Sequence, residues 1–385
     1  MVKKRCVLYF CGFDPSGPAH YHRLYREQAA LQSKVSGATI NVGARQNLAK
    51  EISKWDIQYA SGNESVHTDY HFMRWDDVVR QHWKPSGVQV AWQTLSANAE
   101  YMSNGALRAM FRLAWPPSIA IFSPAVLLVF LLLFVPVVSL KISHASHWIA
   151  GLGFLGTMLV LAWLAEKKFN MQWLIRSFAF TAAQARGKIP AYDQRVRQFA
   201  AHTQQLLLAG YDEVLLVGHS SGTFLAISSL AQALRAMPMK AHAAPSISLL
   251  TLGHWTPMLS SLPAAQSFRD DLQTLAHAER VQWIDFGAPA DGCCFALVDP
   301  LSAVDLAPPI KHPKLLSPRF AQLFSPQRYK LLKKDRFDLH FQYIKASELF
   351  GEYDYFAITA GAQDLAQRFS HLPSVTDFRQ FRLFG

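Results

Sequence analysis

The sequence predicts an α/β protein: a mostly parallel sheet flanked by helices, with an inserted two-helix transmembrane hairpin. Two observations carry the fold class. Short runs of strand-forming residues alternate with helical patterns before and after the middle of the chain. EVLLV, from Glu213 to Val217, then leads through GHSSG directly into TFLAISSLAQALRAM, giving strand, sharp turn and helix in succession. A third observation carries the hairpin. The 385 residues are 50% hydrophobic and 17% charged, below the roughly 25% charge usual in globular domains, and much of the apolar excess lies between 118 and 165.

The first element expected is a strand over Arg5 to Phe10, RCVLYF. The N-terminus is charged, but its apolar run is too short for a secretion signal and no clear small-residue cleavage site follows. Cys11 to Gly17 supplies turn formers, and Pro18 opens a helical pattern through HYHRLYREQAALQ. Ala38 to Val42 and Trp55 to Tyr59 read as further strands, and Asp76 to Trp83 as a helix.

Ser118 to Leu140 and Trp148 to Ala165 carry no charged side chain. At about 1.5 Å per residue, the first would reach roughly 33 Å, enough for a hydrocarbon layer of about 30 Å. Gly151, Gly153 and Gly156 make the second the weaker span, dependent on close packing against the first. Arg108, Arg112, Lys167, Lys168 and Arg176 flank the outer ends. By the excess of basic residues there, both large flanks and both termini should lie on the cytoplasmic side of an integral membrane protein. The expected organisation is therefore 1–117 and 166–385 as two parts of one sheet-based domain, with 118–165 as the hairpin.

Alternation resumes with a helix over Tyr192 to Leu208, a buried strand at Glu213 to Val217, and a helix from Thr223 to Met237 ended by Pro238. Ser246 to Leu252 and Val281 to Phe286 supply two more strands, and YDYFAIT is a later strand-like run. Cys6, Cys11, Cys293 and Cys294 lack paired metal-ligand spacing and read as free thiols. The formal charge is +11, densest at Arg328, Lys330, Lys333, Lys334 and Arg336. Without a nucleic-acid-binding module, this charge points to anionic membrane lipids rather than to nucleic acid.

The GHSSG turn carries the chemistry. Between strand and helix, small Gly218 and Gly222 let the two elements pass closely, while Ser220 is held at the helix N-terminus with its hydroxyl exposed to reaction. The Ser221 amide there is one of those the first helical turn leaves unpaired, and it can point at an oxyanion.

With this setting the sequence resembles the α/β-hydrolase superfamily, and within it the serine lipases and esterases, over residues 5–75 and about 190–345. The resemblance implies a nucleophile followed in the chain by an acid and then a histidine. WIDFGAPADG is similar to the lipase segment bearing the acid, matching Asp291, with Asp285 and Asp299 as alternatives. DLHFQYI is similar to the lipase pattern of His followed three residues later by Tyr, matching His340, with His254 and His371 as alternatives. FCGFDPSG resembles the lipase oxyanion loop, with Cys11 in place of a histidine, and makes the Phe13 amide the second oxyanion donor. The implied activity is hydrolysis of carboxylic esters, acyl esters of lipids above all, through Ser220, His340 and Asp291 without a cofactor or metal. A serine acyltransferase using the same three residues, and a catalytically silent scaffold, are the alternatives.

Overall fold

The computed structural model describes residues 1–83, 87–119, 122–123, 126, 129, 147–237 and 245–375. Its centre is a nine-stranded sheet in the order β2-β4-β5-β1-β6-β7-β8-β9, with β3 pairing beside β4. β1 is Lys4–Phe10, β2 Thr39–Val42, β3 Gln46–Ala49, β4 Ile52–Ser61 and β5 Glu64–Met73. β6 is Glu213–His219, β7 Ser246–Leu252, β8 Val281–Phe286 and β9 Lys314–Leu316.

From β5 to β9 the ladders are parallel, whereas β2, β3 and β5 all run antiparallel to β4. The parallel strands read as continuous apolar runs because helices cover both faces. All seven residues of β6 are buried, as are six of seven in β1 and in β7.

β1 is the switch point. The chain leaves it through the helix Pro18–Ser36, builds β2 to β5 on one side, and returns to lay β6 on the other. In open parallel sheets such a point leaves a crevice at the carboxyl ends of the two strands. The loop after β1 begins at Cys11 and the turn after β6 holds Ser220, so these two segments meet there. The opposite end of the same strands is tied by a buried ion pair, Arg5 Nε to Glu213 Oε2 at 2.6 Å. Arg5 also donates to the Gly361 and Gln363 carbonyls, each at 2.7 Å. Glu213 Oε1 accepts from Ser248 Oγ and the Leu365 amide. Every charged atom of the pair thus has a partner, and the C-terminal segment is pinned under the sheet.

Two expectations are corrected. Among the described residues no helix is long and apolar enough to cross a membrane, so neither the transmembrane hairpin nor the integral-membrane, cytoplasm-facing placement built on it stands. The first expected span, 118–140, falls mostly outside the described residues. The second lies within the helix His147–Phe169. That helix carries Gly151, Gly153 and Gly156 within the apolar stretch and Glu166 and Lys167 directly after it. The strand-like run YDYFAIT is instead a helix over Tyr355–Ala360. Asp354 starts it by accepting from the Phe356 and Ala357 amides, a cap that outweighs the strand preference of the aromatic and β-branched residues.

Candidate active site

Ser220 stands between β6 and the helix Gly222–Ala236 with φ 57°, in the left-handed region that non-glycine residues adopt at a cost of order 1–3 kcal/mol. The surroundings hold it there. Its amide donates to the Leu252 carbonyl at the end of β7 at 2.8 Å, and its carbonyl accepts from Thr223. The flanking glycines are obligatory. A Cβ on Gly222 would stand 2.2 Å from the Phe10 carbonyl oxygen, and one on Gly218 would stand 2.7 Å from Thr223 Cα.

Asp291 and His340 are brought together from 49 residues apart. His340 Nδ1 donates to Asp291 Oδ2 at 2.7 Å, with both side chains buried. Asp291 Oδ1 accepts from the Cys293 amide at 2.9 Å. Burial alone pushes the Asp291 carboxyl up, but the His340 charge and hydrogen bond, with the Cys293 amide, outweigh it and leave the group below its ordinary value. Asp291 is thus the ionised partner. His340 lies on the helix Arg336–Phe341, capped by Asp335. His340 Nε2 and Ser220 Oγ are both buried without a hydrogen-bond partner. They approach the same strand end: Ser220 bonds Leu252, and His340 Cε1 is 3.3 Å from where a Cβ of the next residue, Gly253, would stand.

The expected oxyanion donors are engaged with each other in part. The Phe13 amide donates to Ser221 Oγ at 2.8 Å, so an incoming carbonyl oxygen must displace that hydroxyl to use it. The Gly12 position is close to Ser220, since a Cβ there would lie 3.0 Å from Ser220 Cβ. This explains why the loop carries glycine at that point.

The alternatives have other partners. Asp285 accepts from Thr251 Oγ1 at 2.6 Å, and burial holds it well above the usual carboxylate range. Nearby His254 Nε2 donates to the Val298 carbonyl while its Nδ1 accepts from the Thr256 amide. Burial pulls it down to about 4. Asp299 pairs with His312 at 2.5 Å, and exposed His371 with Glu352 at 3.2 Å.

Three further residues contribute to the site. His219 donates through Nε2 to the His340 carbonyl at 2.9 Å; burial first, then His340, pull its own pKa down to about 3. The Tyr343 hydroxyl accepts from the Ala288 amide at 2.8 Å and so steadies the loop leading to Asp291. Trp173, on the helix Met171–Ala185, donates to the Phe13 carbonyl at 2.6 Å and sets its ring 6.4 Å from the His340 imidazole. His219 lies inside the GHSSG motif and Tyr343 inside the His-x-x-Tyr pattern, so both had a local signal. Trp173 had none.

Among the described residues one other cluster could present metal ligands. Asp56, His67 and Asp69 bring ligand atoms within 4.8 Å of one another on β4 and β5. Lys54 Nζ already stands 3.7 Å from Asp56 and 3.5 Å from Asp69, so the cluster is balanced as an ion-pair network. No protein-family model, curated protein or solved structure matches the chain.

Proposed function

We propose that this chain is a serine hydrolase of the α/β-hydrolase type that cleaves carboxylic esters, acyl esters of lipids above all. One observation carries the reading. A buried His340–Asp291 hydrogen bond leaves His340 Nε2 unpartnered in the interior, where Ser220 Oγ, held on a left-handed turn, is also unpartnered. Buried polar atoms without partners cost of order 1–3 kcal/mol each, and two of them in one catalytic crevice are the arrangement that proton transfer uses.

In the proposed reaction His340 Nε2 takes the Ser220 proton as Oγ attacks the ester carbonyl. Asp291 keeps the Nδ1 proton in place and stabilises the imidazolium. The Phe13 and Ser221 amides receive the developing oxyanion once the Ser221 hydroxyl has swung off Phe13. Collapse releases the alcohol, which takes the proton from Nε2, and water repeats the sequence to free the acid. The test is covalent labelling with a fluorophosphonate together with turnover of p-nitrophenyl butyrate. Wild type is expected to do both and Ser220→Ala neither, with an unchanged circular dichroism spectrum. Equal labelling of the two proteins would reject Ser220 as the nucleophile.

A further inference from the structure

A cavity of about 1170 Å³ adjoins the site. Its lining includes Asp14, Cys293 and Phe341, the immediate or near chain neighbours of Phe13, Asp291 and His340. Trp173, Phe337 and Phe341 form an aromatic wall: Trp173 meets Phe337 edge-on at 5.7 Å, and Phe337 lies 4.8 Å from Phe341. Trp173 also reaches the His340 ring, so the wall runs from the cavity to the catalytic pair.

The charges along the same lining are unequally satisfied. Each of its carboxylates is engaged inside the protein. Asp14 accepts from Tyr21 Oη at 2.7 Å and from the Ser16 amide at 2.8 Å. Asp335 caps the helix that carries His340, and Asp338 pairs with Lys345. Lys167 and Lys334 also line the cavity, both exposed. Lys167 stacks over Trp163 at 5.2 Å, and among the described residues neither lysine pairs with a carboxylate. An apolar wall leading to His340, with unneutralised ammonium groups along the same lining, matches an amphiphile with one negative end.

We propose that this cavity selects esters bearing a phosphate or carboxylate, holding that anion at Lys167 and Lys334 while the hydrocarbon part lies along Trp173, Phe337 and Phe341. This rests on the hydrolase reading and names its substrate class. A cationic head group meets two like charges, and a neutral one forgoes both contacts, so discrimination comes from repulsion as well as attraction.

The test uses the full chain carrying Ser220→Ala, so that binding is read without turnover, and titrates decyl phosphate, decanol and inorganic phosphate calorimetrically at low salt. Decyl phosphate is expected to bind at least about tenfold more tightly than decanol or inorganic phosphate. Lys167→Ala and Lys334→Ala should each weaken it about threefold, the scale of a contact to a partly exposed charge, and leave decanol unchanged. Equal binding of decanol and decyl phosphate, or indifference to both lysine changes, overturns the proposal. Inorganic phosphate binding as tightly as decyl phosphate overturns the amphiphile and leaves a free-phosphate site. Fluorophosphonate labelling of the unmodified chain reads the hydrolase separately. Absent labelling with selective decyl phosphate binding would sink the enzyme and spare the anion site, and the converse would do the reverse.

Discussion

Asp291→Asn separates orientation from packing at His340, the proposed general base. Asp291 Oδ1 receives the Cys293 amide at 2.9 Å and Oδ2 receives His340 Nδ1 at 2.7 Å. An asparagine of the same shape must keep its oxygen toward the Cys293 N–H, since two donors facing each other would leave both unsatisfied. Its NH2 group then faces His340 and donates to Nδ1. The imidazole proton moves to Nε2, and His340 can no longer accept the Ser220 proton. A wrong tautomer of this kind costs about 10⁴ in kcat in a serine protease triad, or about 5 kcal/mol of barrier. The fold should lose less than about 2 kcal/mol, because the Cys293 bond is kept and the substitution preserves volume. The assay is kcat for p-nitrophenyl butyrate beside a urea unfolding curve. Activity within tenfold of wild type would refute the assignment of Asp291 as the orienting acid.

Gly222→Ala is expected to cost about 3 kcal/mol or more in urea unfolding, because its Cβ meets the Phe10 carbonyl at 2.2 Å and has to drive the end of β1 aside. The same shift displaces the Phe13 loop, so kcat should fall about a hundredfold in whatever folds; unchanged stability would contradict the close approach. Arg5→Met leaves Glu213 buried without its cation and should destabilise by about 3–5 kcal/mol, read as a lower Tm. Burial holds His219 and His71 at about 3 and His254 at about 4 in the folded chain, against about 6.5 unfolded. Below pH 6.5 the unfolded chain therefore binds more protons than the native one, and stability falls as pH falls toward those folded values. The loss is about 2 kcal/mol per histidine at pH 5. Urea curves at pH 7 and pH 5 check this, and His71→Gln should flatten the slope. Asp291, lowered when folded, adds to the loss only below the ordinary carboxylate range, around pH 4.

Local pattern was enough for the elements whose cause is local. β7 and β8 and the helix Asp76–Trp83 have the bounds that alternation and turn residues suggested, and the strand-turn-helix through Ser220 is written in 24 consecutive residues, Glu213–Ala236. Where tertiary packing or a cap competes with propensity, pattern misled. Tyr353 to Thr359 has strand-forming composition, yet the Asp354 carboxylate and burial on every side make most of it a helix. The apolar middle of the chain satisfied a length rule, yet among the described residues no helix is long and apolar enough to cross a membrane.

The sequence by itself determined an α/β chain with a serine on a glycine-flanked turn, and it nominated Asp291 and His340 through family resemblance. Only the tertiary structure decided that these two hydrogen-bond, that Ser221 occupies the Phe13 amide, that Trp173 lies against His340, and that Arg5 finds Glu213 from 208 residues away. The reason is one of range. Propensity, periodicity and caps act over a few residues, whereas these contacts depend on β5 and β6 taking opposite sides of β1. That order is chosen by the burial of the whole sheet and leaves no mark at any single position.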